Sequence, residues 1–133
     1  MNYLEHIHIV QTYLFGGVKF LDLLVLSMAV DICTGIMRAA KEKKLRSRTA
    51  YFGYLKKVGV FGVIIFANIV DVILNLNGYL ALVSVIFYIG QEGLSILENL
   101  TVLNVKIPKM LTNRLQIMIE ENEKENTKKE QVK

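Results

Sequence analysis

Three long apolar stretches, residues 20–40, 58–76 and 79–97, occupy most of the first hundred positions of this chain. A helix of about 20 residues crosses a hydrocarbon core of about 30 Å at about 1.5 Å per residue. The pattern therefore predicts an all-α membrane protein with three transmembrane helices. Only Asn77 and Gly78 separate the second and third stretches. This pair predicts a tight turn and an antiparallel hairpin.

Shorter amphipathic segments flank the three apolar stretches. Before the first of them, apolar residues recur at helical spacing up to Gly16 and Gly17, which predicts a short helix at the outer interface. After Pro108, apolar residues recur again and predict a second interfacial amphipathic helix. We assign residues 1–119 to a single membrane domain. Residues 120–133 are charged and predict a disordered tail, because they have too little apolar surface to offset chain entropy.

Positive charge falls in two clusters, one in the loop 41–57 with its flanks and one after residue 105. Nucleic-acid binding could use such loops, but beside three spans the positive-inside rule explains them better. Both clusters then lie in the cytoplasm, which predicts an N-terminus outside and a C-terminus inside. We assign topology and inner-leaflet contact to seven cations of the loop: Lys41, Lys43, Lys44, Arg46, Arg48, Lys56 and Lys57.

Each predicted span carries an acidic residue, namely Asp31, Asp71 and Glu92. A carboxylate in hydrocarbon costs roughly 2.5–3.5 kcal/mol even on lenient insertion scales. Polar neighbours at spacings of three and four place each acid on a polar stripe, so the helices should turn these stripes towards each other or towards water. The stripe residues are Ser27, Asp31, Thr34, Arg38, Asn68, Asp71, Asn75, Gln91, Glu92, Ser95 and Glu98.

Two interpretations of these stripes stay open. The acids either line or gate a water-filled assembly, or form interhelical hydrogen bonds that only hold the bundle together. Asn68 and Asn75 are more typical of the second role. No catalytic triad, Cys/His cluster or phosphate-binding loop is present, so the sequence favours neither an enzyme nor a cofactor or metal protein.

Residues 31–71 begin with Asp-Ile-Cys-Thr-Gly, continue through the basic loop and Lys56-Lys57, and end at Asp71. The third span closes with Glu92, Ser95, Ile96, Glu98 and Asn99, and Ile107-Pro108 follows. This combination resembles the phage-lysis and toxin-secretion holins of Gram-positive bacteria. The resemblance covers residues 20–119, and the motifs are specific mainly in combination. The Gly53-Tyr54-Leu55 segment before the lysine pair departs from the family pattern.

The resemblance implies a homo-oligomer in the bacterial cytoplasmic membrane that opens lesions at a timed trigger. An endolysin or a large toxin would be the cargo, an antiholin would be a possible partner, and nucleic acid would not be one. Two alternatives remain: an antiholin with the same fold, or a small membrane adaptor that recruits a cytoplasmic partner through its basic loop.

Overall fold

Five helices form the chain in a computed structural model that describes residues 2–43 and 48–131. They are α1 (Tyr3–Phe15), α2 (Leu21–Glu42), α3 (Arg48–Leu74), α4 (Tyr79–Val102) and α5 (Lys109–Gln131). These described residues contain no β-strand. The predicted all-α class is therefore confirmed, whereas the orientation across the membrane stays a prediction. Lys44 and Arg46, two of the seven loop cations, lie outside the described residues.

Three of these helices are long and apolar enough to cross a membrane: Leu21–Glu42, Tyr51–Leu74 and Tyr79–Val102. The second differs from the predicted span, because α3 already begins at Arg48 and includes ten residues of the predicted loop. The lysine pair lowers local hydropathy, so the sequence pattern places the start of the span after it. The helix itself has no reason to stop there, since residues 48–57 include no proline.

The connection between α3 and α4 is longer than the predicted two-residue turn. Helix α3 ends at Leu74, and Asn75 follows in the left-handed conformation with φ +55°. Gly78, immediately before α4, has φ +80°, a conformation that glycine adopts without steric cost. Because residues 75–78 all belong to the turn, Asn75 lies beyond the helix on whose polar stripe the sequence placed it.

Helix α4 is the centre of the bundle, with α2, α3 and α5 packed around it and α1 packed against α3. The largest fully buried core side chains are Leu24 of α2, Ile64 of α3 and Val85 of α4. All three lie in the half of the bundle nearer the α3–α4 turn. The other half holds the side chains of Asp31, Lys57, Glu92 and Asn99. We call the two halves the apolar half and the polar half, although Asn68 and Asp71 are buried near the turn.

Helix α5 runs antiparallel along α4 rather than standing alone at an interface. Leu115 lies against Gly93, while Met118 and Ile119 lie against Gly90. Residue numbers rise along α5 as they fall along α4, which defines the direction. The backbone of α5 remains helical to Gln131, so the structure shows helix where the composition predicts a disordered tail from residue 120. The apolar residues Leu115, Met118 and Ile119 are spaced by three, four or one residue and pack on α4, which stabilises the first half of α5.

Candidate functional site

Three charged side chains from three different helices meet in the polar half of the bundle. The Lys57 ammonium of α3 donates to Asp31 Oδ2 of α2 at 2.6 Å and to Glu92 Oε2 of α4 at 2.6 Å. The side chain of Lys57 is only 17% exposed, that of Asp31 9% and that of Glu92 11%. Charge-assisted hydrogen bonds of this length are strong, and burial reduces their screening by water and salt. We call Asp31, Lys57 and Glu92 the ionic cluster.

Asn99 of α4 extends the ionic cluster by one layer. Its side-chain amide donates to Asp31 Oδ1 at 3.0 Å and to Thr34 Oγ1 at 3.0 Å. The Arg38 guanidinium reaches the Asn99 Oδ1 at 3.5 Å and Glu98 at 3.4 Å. Both carboxylate oxygens of Asp31 are thus hydrogen-bonded, one to a cation and one to an amide. This satisfies the requirement that buried polar atoms have partners.

Asp71 occupies a separate place at the opposite end of α3. Its two carboxylate oxygens accept the backbone N–H groups of Leu80 and Ala81, each at 2.9 Å. Those N–H groups belong to the first turn of α4, where no intrahelical acceptor exists and the helix dipole favours a negative charge. Asp71 and Lys57 are fourteen positions apart, about 21 Å along a helix at 1.5 Å per residue. Asp71 is therefore not part of the ionic cluster, and it stabilises the α3–α4 hairpin.

Asn68 connects α3 to the end of α1. Its side-chain amide donates to the carbonyl of Leu14 at 3.0 Å and to that of Tyr13 at 3.5 Å. These carbonyls lie in the last turn of α1, where intrahelical donors are missing. Gly16 follows with φ +66°, and a Cβ atom there would overlap Asn68 Oδ1. The interhelical role favoured for Asn68 matches this geometry.

Replacing Asn68 by leucine should release α1 from the bundle. The change leaves two carbonyls without their donor and costs about 0.6–2 kcal/mol, the range for interhelical hydrogen bonds in membranes. Hydrogen exchange of the α1 amides in lipid bilayers measures the release, and faster exchange confined to residues 3–15 is expected. The matched control is Gln91→Leu, because Gln91 is exposed. Equal exchange of α1 in both variants would contradict the assignment.

Comparison with known families identifies the family of this chain. The model of the bacteriophage holin family matches residues 9–120, which include all three candidate spans and the ionic cluster. The chain belongs to the bacteriophage holin family. The family resemblance found in the sequence motifs is thereby confirmed.

Similar proteins come from bacilli and their phages as well as from clostridia. A "Probable holin" of Bacillus phage phi105 is 47% identical over 131 residues, covering 98% of this chain and 96% of the relative. The "Uncharacterized protein YqxH" of Bacillus subtilis is 52% identical and covers 93% of this chain and 87% of its own length. No solved structure matches the chain. With its three apolar helices, this holin is a multi-pass protein of the bacterial cytoplasmic membrane.

Of the remaining polar-stripe residues, Ser95 lies at the ionic cluster, whereas Ser27 and Gln91 do not. Ser27 donates to the carbonyl of Leu23 on its own helix, and Gln91 is exposed. Ser95 is half-buried on α4, and its hydroxyl is within hydrogen-bonding reach of the Asp31 carboxylate. The structure thus divides the predicted continuous seam into an ionic cluster, a hairpin cap at Asp71 and an α1 anchor at Asn68. A lumen-lining role for any of these residues stays a prediction.

Two residues of the site have roles that the sequence pattern missed. Lys57 is assigned to lipid and topology by its place in the basic loop, but the structure places its ammonium inside the bundle. Helical spacing along the sequence could have identified this role. Successive spacings of seven, four and three residues place Lys57, Ile64, Asn68 and Asp71 on one face of a helix. Asn99 is part of the family motif, but the polar stripes of the sequence do not include it. Lys56 is exposed, as a lipid-facing cation should be.

Proposed function

We propose that this protein perforates the membrane as a homo-oligomer. In that step the surroundings of the ionic cluster change from the interior of a closed bundle to a water-lined assembly. The observation that carries the proposal is the cluster itself, with two carboxylates and one ammonium buried between three candidate spans. The released cargo would be an endolysin or a large toxin. The N-out, C-in orientation belongs to the same proposal, since both basic clusters then face the cytoplasm.

The energetic argument rests on what each environment offers these three side chains. In hydrocarbon an isolated charge costs at least about 2.5–3.5 kcal/mol, so the groups are tolerated only when paired inside the bundle or when hydrated. The cluster therefore favours two kinds of state, a closed bundle and a water-lined assembly. States in which the helices separate into lipid are disfavoured. A protein with two such states can accumulate in one and convert abruptly to the other.

The outer surface of the bundle also supports assembly. Large apolar side chains on α2 and α3 face outwards: Leu26 is 60% exposed, Phe66 65% and Val72 74%. Such a surface is compatible with lipid and equally with another copy of the chain. The adaptor alternative gains no support from a buried ionic cluster, because recruitment of a cytoplasmic partner needs exposed groups. An antiholin would share the cluster and differ in its assembly.

Expression of the chain alone in a bacterium tests the proposal. We expect the membrane potential to collapse suddenly after a delay, followed by release of a co-expressed cell-wall hydrolase. A matched culture should express Leu26→Lys, which places a charge on the exposed face of α2 and should prevent assembly. Steady growth with intact potential, despite verified insertion of the wild-type chain, would reject lesion formation and favour an antiholin or an adaptor.

A further inference from the structure

The contact between α4 and α5 is unusually close for two helices. A Cβ atom added to Gly93 would lie 2.9 Å from both terminal methyl groups of Leu115. One added to Gly90 would lie 3.1 Å from Ile119 and 3.4 Å from the backbone carbonyl oxygen of Leu115. Helix α5 therefore rests on the α4 backbone at a place where only glycine leaves enough room. Leu94 and Leu97 share this side of α4 by helical spacing, and we call Gly90, Gly93, Leu94 and Leu97 the glycine face.

The glycine face lies on the side of α4 that is turned away from α2 and α3. At 100° per residue, Gly90 lies about 160–180° around the helix from Glu92 and Asn99, which contact those helices, and Gly93 lies about 100–120° from them. Helix α5 is thus the only described helix that covers this side near the middle of α4. When α5 leaves, an apolar surface with two glycines at its centre is uncovered within the span.

The sequence of α5 beyond Ile119 is too charged for a lipid environment. Gly90 is near the middle of α4, with about 16 Å of the span still ahead towards Tyr79 at 1.5 Å per residue. From Glu120 to Gln131 the sequence of α5 contains five glutamates and three lysines. A charge at this depth is costly in hydrocarbon. The charged residues after Ile119 therefore favour water, whereas the apolar residues before them favour contact with α4.

We propose that α5 is an intramolecular competitor for the glycine face, and that α4 of a second copy of this chain takes its place there during assembly. This extends the proposed homo-oligomerisation and rests on it. The α4 of a second copy can take the place of α5 because both helices present apolar residues to the glycine face. A close helix contact requires small residues, and the glycine face of α4 in a second copy offers two glycines and two leucines, so it covers the same surface without placing charges in lipid.

A disulfide that holds α5 in place tests the competition in one direction. The variant carries Gly93→Cys and Leu115→Cys in a Cys33→Ser background, because Cys33 is exposed and is the protein's one native cysteine. Oxidised protein in membranes should remain monomeric, and reduction should restore oligomers. The control keeps Leu115→Cys without Gly93→Cys. Oligomers formed equally well by the oxidised and reduced double-cysteine protein would overturn the proposal.

A release variant tests the opposite direction. Leu115→Lys should free α5, whereas Ile117→Lys places the same charge on an exposed position of α5 and serves as the control. With Leu97→Cys as a probe in the Cys33→Ser background, crosslinking between copies should rise at least about tenfold with Leu115→Lys, since the half-buried Leu115 is replaced by a charge that cannot pack on the glycine face. It should not change with Ile117→Lys. Unchanged crosslinking with Leu115→Lys would contradict the competition.

The two proposals fail in different ways. Crosslinking measures occupation of the glycine face by a second copy and does not depend on any lesion. Crosslinks that rise with Leu115→Lys while the membrane potential stays intact would support the competition and reject only the perforation. Collapse of the potential that is equally fast with α5 fixed by the disulfide and with α5 free would support perforation and reject the competition.

Discussion

Lys57→Met should destabilise the folded bundle by about 3–5 kcal/mol, the cost of removing one partner from a buried ion pair. Without the ammonium, the carboxylates of Asp31 and Glu92 face each other with no cation between them. Asp31 retains its hydrogen bond to Asn99, whereas Glu92 loses the ammonium and is left against the Asp31 carboxyl group. The measurement is a denaturation titration of the purified chain in detergent micelles, with helicity as the signal. In cells, we expect less inserted protein or an earlier collapse of the membrane potential.

The adjacent lysine provides a matched control for this prediction. Lys56 is exposed and has no ion pair among the described contacts, so Lys56→Met should change stability by no more than about 0.5 kcal/mol. A second comparison combines Lys57→Met with Asp31→Asn and Glu92→Gln. Removing all three charges should recover much of the loss, because uncharged groups need no counter-charge. If Lys57→Met is as stable as Lys56→Met, the ionic cluster contributes nothing to the fold.

The division of the bundle into an apolar half and a polar half explains why the helices could be predicted from the sequence more readily than the site. Apolar stretches of about 20 residues can be recognised one helix at a time, and all three were found. The ionic cluster depends on which faces of three helices meet. Composition assigns Lys57 to a basic loop, yet one more turn of helix before the apolar stretch is enough to place it opposite Asp31. Local hydropathy carries no information about that pairing.

Asp71 illustrates the same limit in another way. The sequence groups it with Asp31 and Glu92 because all three are acids in apolar stretches. The structure separates it by its position near the end of α3, where the chain reverses and the first N–H groups of α4 come within reach. A carboxylate at a helix N-terminus is a capping group, and this role depends on the backbone path of the turn. The four-residue length of that turn, residues 75–78, could not be derived from the Asn-Gly pair alone.

Helix α5 shows how a correct periodicity leads to an incomplete expectation. Its apolar positions predict an amphipathic helix, and one is present. An interface with lipid and a face of a neighbouring helix are both apolar, so the pattern does not distinguish between them. The pair Gly90 and Gly93 on α4 decides in favour of the neighbouring helix, since side chains larger than hydrogen would keep Leu115 away.

Asp71→Leu should loosen the α3–α4 hairpin and cost about 2–4 kcal/mol, because two buried backbone N–H groups lose their acceptor at about 1–3 kcal/mol each and part of the loss is recovered by fraying of the first turn. Asp71 is only 3% exposed, so water does not readily replace it. Hydrogen exchange in bilayers should show faster exchange at Leu80 and Ala81. Denaturation in micelles should show the loss of stability.

Two comparisons separate the capping role of Asp71 from a role of its charge in a lumen. Asp71→Asn keeps one acceptor oxygen and removes the charge, so it should retain about half of the capping contribution, in line with the similar ranking of Asn and Asp at helix N-termini. Asp22→Leu removes an exposed acid from the start of α2 and should have little effect on stability. If Asp71→Asn abolishes the timed collapse of the potential while exchange at Leu80 and Ala81 stays slow, the carboxylate acts through its charge, and the hairpin cap is not its main contribution.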